Sequence, residues 1–321
     1  MPHDQTDRLP IRIGISSCLV GQRVRFDANH KQDNYILGTL GEFFEFVPVC
    51  PEVAIGMGVP RPTIRLLGTP EAPRAVGVKD TSLDVTDKLI RYGRRQAREL
   101  TDLTGYIFKS KSPSCGMERV KLYTDKGGVS SQGVGLYARE FMAAHPLLPC
   151  EEEGRLGDPM LRDNWLERVF AWRRWQELNR QRLTARALID FHTRHKLALM
   201  AHGPKHYKEL GQLVADAGKG PLRPLAETYI VKFMGALQVR ATAKRHTNVL
   251  HHLMGYLKRQ LDRDDKQELL DLIDAYRLGR VPRIVPITLL NHHFRRFPND
   301  YLANQTYLHM CPEEIKLRSY Y

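Results

Sequence analysis

Three short apolar, β-prone runs each deliver a cysteine to a turn, and this pattern constrains the chain more than any other. Residues 11–15 lead to Cys18 and then Gly21, residues 45–49 lead to Cys50 and Pro51, and residues 106–109 lead through a serine-rich turn to Cys115 and Gly116. A β-prone run that stops at Gly or Pro marks the end of a strand. Where such strands are parallel, their C-terminal ends share one sheet edge, the place where open α/β sheets bind ligands. Helical patterns stand between the runs. A short one covers 34–44, and a longer one covers 83–103, with Val85, Leu89, Tyr92, Leu100 and Leu103 near one face. A hairpin turning at Gly127-Gly128, a helix over 136–144 and a last strand over 147–151 complete the first half. The expected fold class is α/β, a Rossmann-like three-layer domain with a mainly parallel sheet, followed by an all-α domain.

Two readings of the cysteines compete. Singly, each is a small core residue, since free Cys is among the most buried side chains. The spacings of 32 and 65 residues also differ from the close pairs of zinc sites and ferredoxins. Together, three converging thiolates suit a 4Fe-4S cluster with one iron left open, an arrangement for chemistry more than for electron transfer. Glu52, two residues past Cys50, is badly placed for a core and well placed for general-base work. Arg23, Arg25 and Asp27 either orient a polar substrate or pin their own loop, and Arg61, in the stiff segment 56–62, either contacts substrate or braces that segment.

The segments Ser17-Cys18-Leu19, Arg25-Phe26-Asp27, Pro48-Val49-Cys50-Pro51-Glu52, Pro60-Arg61-Pro62 and Ser112-Pro113-Ser114-Cys115-Gly116 resemble those of the thiouracil desulfidase family over about residues 10–155. That resemblance implies a 4Fe-4S cluster on Cys18, Cys50 and Cys115, with Glu52 and Ser112 catalytic and Ser17, Arg61 and Ser114 binding substrate. The choice of Ser112 over Ser114 for catalysis rests on the resemblance alone. The rest of the chain is similar to a helical domain that accompanies some members, an arrangement associated with desulfuration of 4-thiouridine in tRNA. Desulfuration of free thiouracil or thionucleosides is the alternative, as is a cluster-containing RNA-binding sensor without turnover, for which Glu52 would have no use.

Charge separates the two halves. Residues 161–321 hold 28 Lys and Arg against 16 Asp and Glu, which carries almost all of the net +13 of the 321-residue chain. Such a surplus attracts polyanions, with tRNA the expected partner, although a basic surface also occurs without one. The acidic stretch Glu151-Glu152-Glu153 ahead of Asp158 is expected to separate a desulfidase domain, 1–158, from a basic helical domain, 159–321. Helices are expected over 163–200 with a break near 181–184, then 204–217, 222–239, 242–262, 264–278 and 286–296. Arg173, Arg174, Lys244, Arg245, Arg295 and Arg296 are the expected RNA contacts, with Trp172, Trp175 and Tyr207 as stacking faces. His192 and His195 share a helix face, but with no cysteine nearby they make a weak zinc motif. No apolar run approaches the ~20 residues of a bilayer span. With a polar N-terminus and five scattered cysteines, a cytoplasmic protein is expected.

Overall fold

A computed structural model describes residues 10–312 and 314–315. The polar N-terminal segment read above for targeting lies outside them. The chain divides into two compact units, one running to Trp165 and the other beginning at Leu166.

In the first unit the apolar runs become strands β1 (Ile11–Ser16) and β2 (Phe44–Val49). Between them the expected helix is cut to α1 (Asn34–Gly38), capped by the Asp33 side chain, because a 3-10 turn at Leu40–Glu42 leads straight into β2. Pro51 cannot extend β2 and instead opens the short α2 (Pro51–Ala54), where its missing N–H costs nothing. Strands β3 (Ile64–Gly68) and β4 (Pro73–Gly77) follow, then helix α3 (Thr86–Glu99). Next come β5 (Gly105–Phe108), β6 (Val120–Tyr123), β7 (Val129–Gly133), α4 (Leu136–Ala144) and β8 (Cys150–Glu152).

The sheet β2-β1-β5-β8 is parallel throughout, as the sequence leads one to expect. Its central strands are apolar on both faces: Ile13, Ile15, Ile107 and Phe108 are fully buried. That is the pattern of a parallel sheet covered on both sides. Tyr106, Phe108, Tyr137 and Phe141 pack as one aromatic cluster, with Tyr106 stacked on Phe108 at 4.0 Å between centroids and its hydroxyl 3.1 Å from that of Tyr137. Gly14 admits the Tyr106 ring, since a Cβ there would lie 2.3 Å from it.

A second sheet, β4-β3-β6-β7, was not foreseen. The hairpin turning at Gly127-Gly128 is present as β6 and β7, but it is not free-standing. Its β6 pairs parallel with β3, which in turn pairs antiparallel with β4. Leu66, Ala75, Val120 and Leu122 form the buried side of this sheet, packed with Leu89 and Leu136.

Helix α5 (Pro159–Arg180) begins at Asp158, whose carboxylate caps the N–H groups of Met160 and Leu161. Trp165 is fully buried within the first unit, donating to the Pro149 carbonyl at 3.0 Å and lying edge-on to Phe44. The second unit continues α5 and adds α6 (Ala185–His202), after a break at 181–184 where expected, with Thr184 capping the new helix. It goes on through α7 (Pro204–Ala215), α8 (Leu222–Gln238), α9 (Ala243–Gly255), α10 (Arg263–Arg277), α11 (Ile284–Arg296) and the short α12 (Asp300–Ala303). Leu197, Val249, Leu253, Ile273, Ile287 and Leu290 meet in its core.

Candidate active site

Because β1, β2 and β5 run in the same direction, their C-terminal ends bring Cys18, Cys50 and Cys115 to one crevice of about 380 Å³, within the ~300–1,000 Å³ range of small-molecule sites. Ser17, Glu52, Arg61, Ser112 and Ser114 line the same crevice, so the eight expected site residues of the first domain stand together. The loop after Cys18 is tied back by hydrogen bonds from the Lys31 and Asp33 N–H groups to the Cys18 and Leu19 carbonyls. The Cys115 turn is braced through Gly135, where an added Cβ would meet the Ser114 backbone at 2.6 Å. Gly135, just before α4, thus serves close packing against this turn.

Glu52 is held at both oxygens. Arg61 donates Nε–H at 2.8 Å to one, and Ser114 donates its hydroxyl at 2.5 Å to the other. Ser112 Oγ accepts the N–H groups of Ser114 and Cys115 and lies 3.0 Å from Ser114 Oγ. The single Ser114 proton goes to the carboxylate, so Ser112 is the donor in the contact between the serines. The result is a directed chain from Ser112 through Ser114 to Glu52.

None of the five cysteines is joined in a disulfide. Burial pushes Cys18 up to about 11, against the pull of Lys109 and Arg25. Burial likewise raises Cys50, whose sulfur receives the N–H groups of Val53 and Glu52 and feels Arg61. Cys115, fully enclosed, is raised furthest, first by burial and then by Cys50 and Glu52. Dry thiols of this kind ionise when a metal compensates the charge. Among the described residues no three His, Cys, Asp or Glu side chains converge on a single ion position. A cubane does not ask for that, since each thiolate binds its own iron. Three free, inward-facing sulfurs around one crevice, with cations beside them, fit such a cluster. Cys150 packs in the first core, and Cys311 is buried in the second unit.

Several residues of the crevice were not read from the sequence. Lys31, Lys109 and Lys111 line it, as do Ser16 and Thr63. The acidic stretch expected as a spacer is buried scaffolding. Glu153 pairs with Lys109 and accepts the Ser110 N–H and hydroxyl, each at 2.7 Å. Glu152 accepts the Met117 N–H at 2.8 Å, and Glu151 holds Arg155 at 2.6 Å. The ends of the Cys115 turn are thereby pinned to β8. The signal was the alternation Lys109-Ser110-Lys111-Ser112, whose cations call for partners.

The expected RNA contacts separate into two groups. Lys244, Arg295 and Arg296 are exposed. Arg173 is buried and pairs with Glu177 at 2.8 Å, which corrects its reading as an open phosphate contact. Arg174 donates to the His309 and Met310 carbonyls, and Arg245 to the His202 carbonyl, so both are turned to the protein. Trp175 lies in the core against Phe191 and Tyr229 and offers no face to a base. His192 and His195 are buried, bonded to the Tyr229 hydroxyl and the Phe191 carbonyl, and lie in no metal group among the described residues. No described helix is long and apolar enough to cross a membrane.

A parallel α/β domain with three free thiols and a clamped carboxylate at its strand ends, followed by a helical domain, defines a two-domain protein built for thiol-ligated chemistry. Residues 13–153 match the family described as 2-thiouracil desulfurase, and residues 196–312 match one described as a protein of unknown function (DUF1722). A protein of Escherichia coli (strain K12) described as the uncharacterized protein YbgA is 35% identical over 157 residues, covering 49% of this chain and 93% of that relative. A solved structure described as the 4Fe-4S-dependent thiouracil desulfidase TudS is 32% identical, covering 45% of this chain and 92% of that one, with a TM-score of 0.35. Residues 13–153 thus belong to the 2-thiouracil desulfurase family, and a helical domain that matches a second family is fused to them.

Proposed function

We propose that the protein is a 4Fe-4S-dependent desulfidase of thiolated pyrimidines, and that its substrate is 4-thiouridine in tRNA, converted to uridine. The observation that carries this reading is the gathering of Cys18, Cys50 and Cys115 in one crevice with Glu52 fixed between Arg61 and Ser114. Cys18, Cys50 and Cys115 would hold the cluster. When bound, it supplies an iron without a protein ligand, a Lewis acid suited to the soft sulfur of a thiocarbonyl.

The chain's own groups handle the protons. Water adds to the ring carbon that carries sulfur, and Glu52 takes its proton, with Arg61 and Ser114 keeping the carboxylate aimed. Ser112, its oxygen accepting two N–H groups, donates its proton to Ser114 and so fixes the hydroxyl that Ser114 donates to Glu52. Sulfur leaves as sulfide, the new carbonyl oxygen comes from water, and no electrons are gained or lost. Ser17, buried beside Cys18, lies within reach of the same space.

The tRNA part rests on the basic second half and on its exposed Lys244, Arg295 and Arg296. Five cysteines without a disulfide suit the reducing cytoplasm. One observation favours the free-base reading: the crevice is built wholly from residues 16–115, so a small thiopyrimidine meets the same groups. Anaerobically loaded full chain should convert 4-thiouridine in tRNA to uridine, followed by loss of the thiocarbonyl absorbance and by nucleoside mass spectrometry. Its kcat/KM should fall steeply with salt, as phosphate contacts require. A kcat/KM for tRNA no higher than for 4-thiouracil, and unmoved by replacing Arg295 and Arg296, would remove the tRNA assignment.

A further inference from the structure

Glu153, just past the end of β8, does not line the crevice, yet both of its carboxylate oxygens are bound to the segment that leads to the catalytic serines. One oxygen accepts the Lys109 ammonium and the Ser110 hydroxyl, the latter at 2.7 Å. The other accepts the Ser110 N–H at 2.7 Å. The Lys109 ammonium also turns back on its neighbour, donating to the Ser110 carbonyl at 3.2 Å and to the Ser110 hydroxyl at 3.0 Å. Its three protons are thereby used within the clamp, and none is left for a substrate.

What the clamp holds is a strained turn. Lys111 sits at φ 61°, in the left-handed region that favours glycine, and makes no hydrogen bond or ion pair of its own among the described residues. Such a conformation persists only where the neighbours over-determine it. On the far side they are anchored to α4, whose Leu136 and Ala138 N–H groups donate to the Pro113 and Ser114 carbonyls at 3.0 and 3.1 Å. On the near side the anchor is Glu153, helped by Ser16, whose hydroxyl oxygen accepts the Lys109 N–H at 2.9 Å. Ser112 follows Lys111 directly. A change in the Lys111 backbone would swing the Ser112 oxygen away from the Ser114 hydroxyl, 3.0 Å off, and from the Ser114 and Cys115 N–H groups it accepts.

We infer that Glu153 is a positioning residue for the reaction: it keeps Lys111 left-handed, and so keeps the Ser112 hydroxyl on Ser114 and the Ser114 hydroxyl on Glu52. It touches none of these groups and acts on them through Ser110 and the strained turn. What it does for the rate rests on the desulfidase reading; what it does for the turn does not.

Amide hydrogen exchange and turnover, both on the iron-loaded full chain, test this together. In Glu153→Gln, exchange over residues 110–115 should quicken severalfold while α4 and the iron content stay as they are. The kcat for sulfide release from 4-thiouracil should fall about ten- to a hundredfold with KM little changed, as a misplacement of up to about 1 Å costs. The solvent deuterium isotope effect on kcat should rise, because proton transfer to Glu52 becomes slower; a smaller folded fraction would leave that ratio unmoved. Adding Lys111→Gly to Glu153→Gln should restore rate and protection severalfold, since glycine accepts φ 61° without strain. Adding Lys111→Gln instead removes the same charge but keeps the strain, and should restore neither. Unchanged exchange over 110–115 in Glu153→Gln overturns the clamp, as does equal recovery with glycine and glutamine. Quickened exchange with kcat and isotope effect unmoved overturns the positioning role and leaves the desulfidase reading intact. An iron-replete unsubstituted chain that releases no sulfide from thiopyrimidines defeats that reading, and the exchange pattern with its rescue by glycine then decides whether Glu153 holds the turn.

Discussion

Replacing Glu52 separates what its carboxylate does for the fold from what it does for the reaction. Arg61, its partner at 2.8 Å, has a side chain only 4% exposed, and Glu52 itself is 15% exposed. Glu52→Ala leaves that guanidinium with the Gly58 carbonyl, 3.1 Å from Nη1, as its remaining hydrogen-bond partner in the site. Stranding one member of a buried pair costs about 3–5 kcal/mol. Because the crevice is open to water, the cost falls to the bottom of that range or just under it, about 2–3 kcal/mol, or roughly 5–10 °C in Tm for a domain of this size. Adding Arg61→Met removes the stranded charge and should recover most of this loss. The rate should not recover, since a general base contributes ~10²–10⁴-fold. Anaerobic urea unfolding of the two variants, with iron content and sulfide release measured on each, reads both effects. A double variant no more stable than Glu52→Ala would refute the buried-pair reasoning. An iron-replete Glu52→Ala enzyme that keeps more than a tenth of its rate would refute the base.

Cys18→Ala, Cys50→Ala and Cys115→Ala should each lose the cluster's absorbance and iron on anaerobic reconstitution, whereas Cys150→Ala and Cys311→Ala should keep both; loss confined to Cys150→Ala would displace the ligand set. In the helical unit, burial lowers His192 to about 4 and His195 to about 3, and burial with Arg283 lowers His246, all from 6.5. Burial also opposes the proton on His202, but Glu167 at 3.0 Å outweighs it and raises that group. Below pH 6.5 the unfolded chain binds protons that the three lowered histidines refuse, so stability rises with pH; above 6.5 His202 keeps a proton the unfolded chain has lost, so stability falls until its raised value is passed. Urea midpoints should therefore peak near neutrality, with the alkaline fall absent from the Glu167→Gln/His202→Gln double variant. A flat profile from pH 5 to 8 would count against the assignment.

The strand ends that make the site were legible because each follows a short apolar run and precedes Gly or Pro, a local signal, although only the central β1 and β5 are apolar on both faces and the edge strand β2 exposes Glu45 and Pro48. The second sheet was not. In β3 and β4 an arginine in each run, Arg65 and Arg74, and short apolar stretches between prolines blur the alternation; β4 pairs with β3 as a hairpin, and β3 joins the rest of the sheet by pairing across 56 residues, Leu66 with Leu122 for example. Glu151, Glu152 and Glu153 misled for a related reason. A run of acids reads as solvated, and only the tertiary fold reveals the N–H groups and cations that bury it. Arg173 and Trp175 show the same limit in helices: composition counts a side chain without saying which way its helix turns it.

The three thiols reach their crevice from segments 32 and 65 residues apart in the chain. A motif with close cysteines can seize iron as a disordered ribbon, since the intervening loop is short. Here the ligand positions are far apart until β5 has paired with β1, so the entropy of two long loop closures has been met by strand pairing before metal arrives. If the three sulfurs hold the cluster, maturation is expected to be ordered, the sheet forming first and the cluster entering a finished receptacle. A chain stalled in synthesis before Gly105 would carry two of the three sulfurs and present cluster-delivery machinery with nothing to fill.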